Sequence, residues 1–119
     1  MKKNLFEIKA GDTRPTLRVQ LTRDEGSGQE KIEDDLTGAT VQFRFRNKAN
    51  PATLYGPFAG DVEDNVEKIV RRQWGSSDWS AITADTDVEW EVEITYASTA
   101  VETFPTRGFN AGKIYADID

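Results

Sequence analysis

Hydrophobic and polar residues alternate strictly through segment 87–96, which reads Asp-Val-Glu-Trp-Glu-Val-Glu-Ile-Thr-Tyr. Successive side chains of an extended chain point to opposite faces, so this alternation predicts a strand with one buried and one solvated face. Segment 101–104 is β-prone as well, and it ends at Pro105, which cannot donate a hydrogen bond to a sheet. The sequence therefore predicts a β-hairpin here, and the rest of the chain must cover its apolar face.

The same alternation recurs in segments 16–22 and 41–47, which predict two more strands. Segments 5–8 and 113–118 are shorter strand candidates, and the irregular pattern of segment 66–74 indicates a bulged or edge strand. The apolar positions of the clear strands should be buried together. This predicted core comprises Leu17, Val19, Leu21, Val41, Phe43, Phe45, Val88, Trp90, Val92 and Ile94.

Four segments between the strands lack this alternation. Segment 23–31 is polar and contains glycine, which predicts an exposed loop, and two prolines predict another loop across residues 51–58. Residues 107–112 are expected to form a loop anchored by Phe109. Segment 75–82 is expected to close as one helical or 3₁₀ turn. Ser76 or Ser77 should cap this turn, which carries Trp79 and Ile82 under the sheets.

The number and spacing of the strands predict the fold class. About seven or eight short strands separated by turn signals, with almost no helical periodicity, are typical of an all-β fold. We expect a single domain, residues 1–119, with an Ig-like antiparallel β-sandwich, and a small closed barrel is the alternative.

Composition narrows the functional classes. The chain has neither histidine nor cysteine, so disulfides, thiolate zinc sites and histidine-based nucleophilic catalysis are excluded. Segment 61–67 carries several carboxylates but lacks the ligand spacing and glycine of a calcium loop. The net charge is −6, which opposes binding to nucleic acid, and no apolar run is long enough to span a bilayer. We expect no enzymatic activity, metal or cofactor.

Glu89, Glu91 and Glu93 share the polar face of the central strand at a spacing of roughly 7 Å. This spacing overlaps that of the carboxylate pair of inverting glycosidases. Carboxylates on a solvated sheet face are more often balanced by cations of a neighbouring strand. We therefore predict that at least one of the three lies beside an arginine or lysine.

Two tryptophans and several basic residues are candidates for contacts with a ligand or partner. Trp74 and Trp79 bracket a turn and could form an exposed platform for sugar stacking, as in carbohydrate-binding modules. Arg44 and Arg46 belong to a set of basic residues that would form a patch if their strands were adjacent. A solvated face neutralised by glutamates is the preferred interpretation of that set, which comprises Arg44, Arg46, Lys48, Lys68, Arg71 and Arg72.

Several turn and strand motifs, taken together, resemble the bacteriophage baseplate upper-protein N-terminal domain family. They are Gly-Asp-Thr-Arg-Pro at 11–15, Asp-Leu-Thr-Gly-Ala-Thr-Val at 35–41, Glu-Val-Glu-Ile-Thr-Tyr at 91–96 and Val-Glu-Thr-Phe-Pro at 101–105. They occur in the family's order across most of the chain. The chain departs from the family pattern at its 97–99 turn and in a longer 25–34 segment.

The resemblance implies a structural protein of the virion, located in a tail, baseplate or neck. Such a protein would be made in the cytoplasm of the host bacterium, and it would be present in several copies as a homo-oligomer. It would have no enzymatic activity, and its partners would be other phage structural proteins and neither nucleic acid nor membrane. The motifs form turns and strands and include no catalytic signature.

Overall fold

The computed structural model describes residues 5–25 and 28–117, and these residues form ten strands and no helix. The strands are β1 (Leu5–Lys9), β2 (Leu17–Gln20), β3 (Thr22–Glu25), β4 (Gly28–Lys31), β5 (Thr40–Asn47), β6 (Leu54–Asp64), β7 (Ile69–Arg72), β8 (Thr86–Thr95), β9 (Val101–Phe104) and β10 (Asn110–Tyr115). The all-β prediction is confirmed.

Eight of the strands are connected by hydrogen bonds in the order β1-β10-β8-β5-β6-β7-β2, and β9 pairs with β8 beside β10. β8 is the centre of this arrangement because residues 88–95 pair with β5 along one edge and the other edge is shared by two strands. Residues 86–90 pair with β10, and residues 92–95 pair with β9. All pairs are antiparallel, as predicted, except β1 with β10, which is parallel.

β6 carries the chain from one part of the sheet to the other. Up to Gly60 it pairs with β5, and from Asp61 onward it pairs with β7. Gly60 lies at the change of partner, where a Cβ atom would be 2.5 Å from the ring of Phe43 and 2.6 Å from the carbonyl oxygen of Arg71. Glycine has no side chain, so the neighbouring strands can approach closely at this position. Together they enclose one hydrophobic cluster.

The predicted core is confirmed, since all ten of its residues are buried in that cluster. The alternation of β8 is reproduced in its burial, with Trp90, Val92 and Ile94 fully inaccessible to solvent. β9 pairs with β8 as the hairpin prediction required, from Thr95 opposite Val101 onward.

Phe45 lies at the centre of an aromatic cluster inside this core. Its ring centroid is between 4.9 and 6.1 Å from the centroids of five other aromatic rings. These rings come from β1, β6, β8 and the segment that follows β7, so the cluster joins elements that are distant along the chain. The five rings belong to Phe6, Phe58, Trp74, Trp79 and Trp90.

Segment 75–82 delivers Trp79 to this cluster through consecutive turns, close to the single turn that the sequence predicts. The amides of Asp78, Ser80 and Ile82 each donate to the carbonyl oxygen three residues earlier. The predicted serine cap is wrong, because the Asp78 carboxylate accepts the Gly75 amide at 2.7 Å. A cap serine would accept a later amide of the turn, whereas Asp78 reaches back to the first amide, as the acidic residue of a capping box does.

Three predicted loops are partly or wholly strands. Segment 23–31 contributes to the hairpin of β3 and β4, residues 54–58 begin β6, and β10 begins at Asn110 within the predicted 107–112 loop. The hairpin was missed because its sequence is polar throughout, so no alternation marks a buried face. Phe58, within the second predicted loop, is 9% exposed. The last residue of predicted strand 113–118 lies outside the described residues.

Ion pairs and backbone hydrogen bonds tie the β3–β4 hairpin to the main sheet. The Arg23 guanidinium donates to both carboxylate oxygens of Glu102 on β9, at 2.6 and 2.5 Å, and to Asp34 at 3.0 Å. Tyr96 also donates its hydroxyl to Glu102, at 2.9 Å. The hydrogen bond from Arg23 is the main reason why the pKa of Glu102 is lowered. The amide of Ile32, at the end of the hairpin, donates to a backbone carbonyl beside β2.

Replacing Phe45 by alanine should remove the ring that the five other aromatics contact. We expect Phe45→Ala to lower the free energy of unfolding by about 3–5 kcal/mol, because it removes a buried ring and leaves a cavity among buried side chains. Leu54→Ala is the matched control, since Leu54 lies on the neighbouring strand and is 71% exposed, and it should change stability by less than about 0.5 kcal/mol. Urea denaturation measures both, and equal effects would contradict the central position of Phe45.

The Arg23–Glu102 pair should make stability depend on pH. A carboxyl group whose pKa is lowered on folding stabilises the fold above its unfolded pKa of about 4.3, and this stabilisation disappears as the pH falls through the folded value. We expect Glu102→Gln to cost about 1 kcal/mol at pH 7, after allowance for partial solvent screening, and to cost progressively less below about pH 4. Glu91→Gln, which removes no ion pair with the described residues, should show no such loss.

Candidate functional site

A ladder of charged residues covers the outer face of β5 and β8. Arg44 Nη1 lies 2.8 Å from Glu93 Oε2, and Arg46 Nη2 lies 3.0 Å from Glu89 Oε1. These contacts confirm the prediction that at least one glutamate of the central strand lies beside a cation of a neighbouring strand. Two of the three carboxylates are therefore bound in place, as in a structural ladder and unlike a freely accessible catalytic pair.

Glu91 is the third carboxylate of the ladder, and it has a different environment. Arg44 is its direct cross-strand neighbour, but the Arg44 guanidinium reaches diagonally to Glu93. Glu91 is half-buried, and its carboxylate forms no hydrogen bond or ion pair with any of residues 5–25 and 28–117. It also lies where the partner of β8 changes, since Trp90 pairs with β10 and Val92 pairs with β9.

A β-bulge in β6 forms the wall beside this ladder. Phe43 and Phe45 of β5 pair with Phe58 and Tyr55 of β6, so two residues of β6 lie opposite Arg44 alone. Gly56 is the first of these two and has a φ of 87°, which is the left-handed region that glycine tolerates. A Cβ atom at this position would be 2.8 Å from the amide nitrogen of Phe58. The bulge therefore depends on glycine.

The ladder and the wall line an open groove of about 360 Å³, which we call the outer-face groove. Its floor contains Arg44, Arg46, Glu89 and Glu91, and its walls contain residues 54–57 of β6 and Phe109 of the loop before β10. The guanidinium carbon of Arg46 lies 3.9 Å from the centre of the Phe109 ring, a stacking contact that orders both side chains. Leu54 is an exposed apolar side chain of the groove.

The structure places the four candidate contact residues in two different environments. Arg44 and Arg46 line the outer-face groove. Trp74 and Trp79 are 4% and 1% exposed, so the predicted sugar-stacking platform is wrong. Their indoles pack against each other and against Phe45 in the core, because the turn between them folds inward.

The wider set of basic residues does not form one patch. Arg71 is bound to Asp61 at 2.9 Å and Arg72 to Asp78 at 2.6 Å, and both lie on β7, with β6 between them and β5. Lys68 is buried, and its ammonium group donates to the side-chain oxygen of an asparagine at 2.9 Å. The arginines are therefore neutralised locally, and these residues form no extended basic surface for a polyanion within the described part of the chain.

A second open groove, of about 610 Å³, lies between segment 36–42 and β6. Small and backbone groups form most of its lining, and the Asp61 carboxylate at its edge is already bound to Arg71. The outer-face groove offers more distinctive chemistry because it combines exposed apolar groups with a carboxylate that lacks a partner among the described residues.

Sequence reasoning identified Arg44, Arg46 and the three glutamates, but it missed Leu54, Pro57 and Phe109 as parts of the same groove. The glycine and proline at 56–57 were interpreted as loop residues, although a Gly-Pro pair between apolar residues is also compatible with a bulge. The register between β5 and β6, which brings Leu54 opposite Arg46, depends on that bulge.

Comparisons with known proteins found no protein-family model that matches the chain and no curated protein that matches it. Among the described residues, no helix is long and apolar enough to cross a membrane. No group of three or more acidic side chains within that part of the chain is arranged to hold a metal ion.

Gly56→Ala should destabilise the fold by about 1–3 kcal/mol, because a Cβ atom meets the Phe58 backbone and alanine tolerates positive φ poorly. Gly75→Ala is the matched control, since a Cβ atom there has only ordinary contacts with Asp78. Thermal and urea denaturation of both variants measure the difference. Equal stability of the two variants would contradict the proposed requirement for glycine at the bulge.

Proposed function

We propose that the protein is a non-enzymatic structural component of a phage particle, located in the tail, baseplate or neck. It acts through protein–protein contacts in an assembly that contains several copies. The family resemblance of the turn and strand motifs supports the phage context, and the outer-face groove supports a role in contacts. The proposal places the protein in the virion after synthesis in the host cytoplasm.

The outer-face groove is the observation that carries this proposal. Protein interfaces combine exposed apolar groups with polar groups that are already held in place, and the groove has both. Leu54 is 71% exposed, while Arg46 is fixed by Glu89 on one side and by the Phe109 ring on the other. Side chains that are ordered before binding lose less conformational entropy when a partner covers them.

The same groove supports a non-enzymatic role. The sequence supplies neither histidine nor cysteine for acid–base or nucleophilic chemistry. Glu89 and Glu93, the two outer carboxylates of the ladder, are each occupied by an arginine. The burial of Trp74 and Trp79 also removes the feature that suggested a carbohydrate-binding module.

Purified particles of the phage or prophage that carries the gene provide the test. We expect mass spectrometry to detect the protein in the particles at a constant ratio to other structural proteins. Deletion of the gene should give particles that lack part of a tail, baseplate or neck in electron micrographs, and a wild-type copy supplied in trans should restore them. Normal, infective particles after deletion, together with absence of the protein from wild-type particles, would contradict the proposal.

A further inference from the structure

The five charged residues of the ladder do not balance one another. Arg44 is bound to Glu93 and Arg46 to Glu89, which leaves Glu91 as the carboxylate without a partner in the described part of the chain. Glu91 is half-buried, so a partner that covers it removes the water that still hydrates the carboxylate. That loss is unfavourable unless the partner brings a positive charge or hydrogen-bond donors to the carboxylate.

Apolar side chains lie within reach of Glu91 on the same face. Pro57 belongs to the bulge opposite Arg44, and Arg44 in turn lies opposite Glu91, so Pro57 and Glu91 are two strands apart. Two strand spacings amount to about 10 Å. Side chains on one face of an extended segment are about 7 Å apart, and a lysine or arginine is long enough to make up the difference.

We propose that the outer-face groove binds a segment of another protein that presents a lysine or arginine between apolar side chains. The cationic group binds Glu91, and the apolar side chains cover Leu54 and Pro57. This inference rests on the proposed function, because it names the partner chemistry of the same groove.

Two other occupants fit less well. An anionic segment would have to displace Glu89 or Glu93 from arginines that they already bind, and it would leave Glu91 uncompensated. A second copy of the chain carries the same net charge of −6, so the long-range interaction between two copies is repulsive. Charge complementarity therefore favours a basic and apolar segment of a different protein.

A short synthetic peptide tests this chemistry directly. The probe is Gly-Leu-Ser-Lys-Ser-Leu-Gly with blocked ends, in which the lysine and both leucines lie on one face of an extended chain. Two matched peptides carry glutamate in place of lysine or serine in place of both leucines. Each is titrated into the isotopically labelled full chain and followed by NMR. We expect the lysine peptide to shift amide signals of β5, β6 and β8 around the groove, and to bind more tightly than either matched peptide. Higher salt should weaken the binding of the lysine peptide.

Variants of the protein then separate the two parts of the groove. Glu91→Gln should weaken binding of the lysine peptide by about three- to tenfold, which corresponds to the loss of one partly buried ion pair. Leu54→Ser should weaken this binding as well, because it removes the apolar contact. Val66→Ser is the control, because Val66 is also exposed, at 74%, but lies in the turn before β7, outside the groove. It should leave the affinity unchanged, and the amide spectrum of each variant verifies its fold.

Several results would overturn the inference. They are equal binding of the lysine and glutamate peptides, affinity that is unchanged by Glu91→Gln, and signal shifts confined to residues outside the groove. Concentration-dependent shifts of groove signals without peptide would instead identify a second copy as the occupant. These outcomes are distinguishable from failure of the proposed function, which concerns the presence of the protein in particles and is measured without the peptide.

Discussion

The packing of aromatic rings around Phe45 is the interaction on which the rest of the structure depends. A domain of this size without disulfides must obtain its stability from one core, and large aromatic side chains bury the most apolar area per residue. Phe45 joins β5 to β1, β6 and β8 through direct ring contacts, and through Trp74 and Trp79 it fixes the segment between β7 and β8. Removing that contact loosens several elements at once.

The position of Phe45 also determines what lies on the opposite face of β5. Because side chains alternate along a strand, the burial of Phe43 and Phe45 forces Arg44 and Arg46 outward. The pairing of β5 with β8 then sets those arginines beside the glutamates of the central strand. The floor of the outer-face groove is therefore a direct consequence of how the core is packed, and a one-residue shift of β5 would bury both arginines.

Alternation was sufficient to predict β5, β8 and all ten residues of the predicted core, because each of these strands has one buried and one solvated face. It failed for the β3–β4 hairpin, which is held by side-chain ion pairs such as Arg23–Glu102 and by backbone hydrogen bonds. It also failed for the first half of β6, where the bulge at Gly56 interrupts the period of two. The arginines and glutamates of the groove were predictable from parity, whereas its walls depend on tertiary register that no local pattern encodes.

The uncompensated charge of the groove follows from the geometry of the ladder. β8 places three glutamates outward, while β5 offers two arginines at the matching positions, so one carboxylate must remain without an arginine from β5. Glu91 is the carboxylate without an arginine because Arg44 reaches diagonally to Glu93 instead of to Glu91, its direct neighbour. Glu91 is also the position at which β8 has neither β9 nor β10 beside it, since the pairing passes from Phe104 to Asn110 across a loop. The same break in pairing leaves room for the Phe109 loop, so the carboxylate and an apolar wall of the groove have a common structural origin.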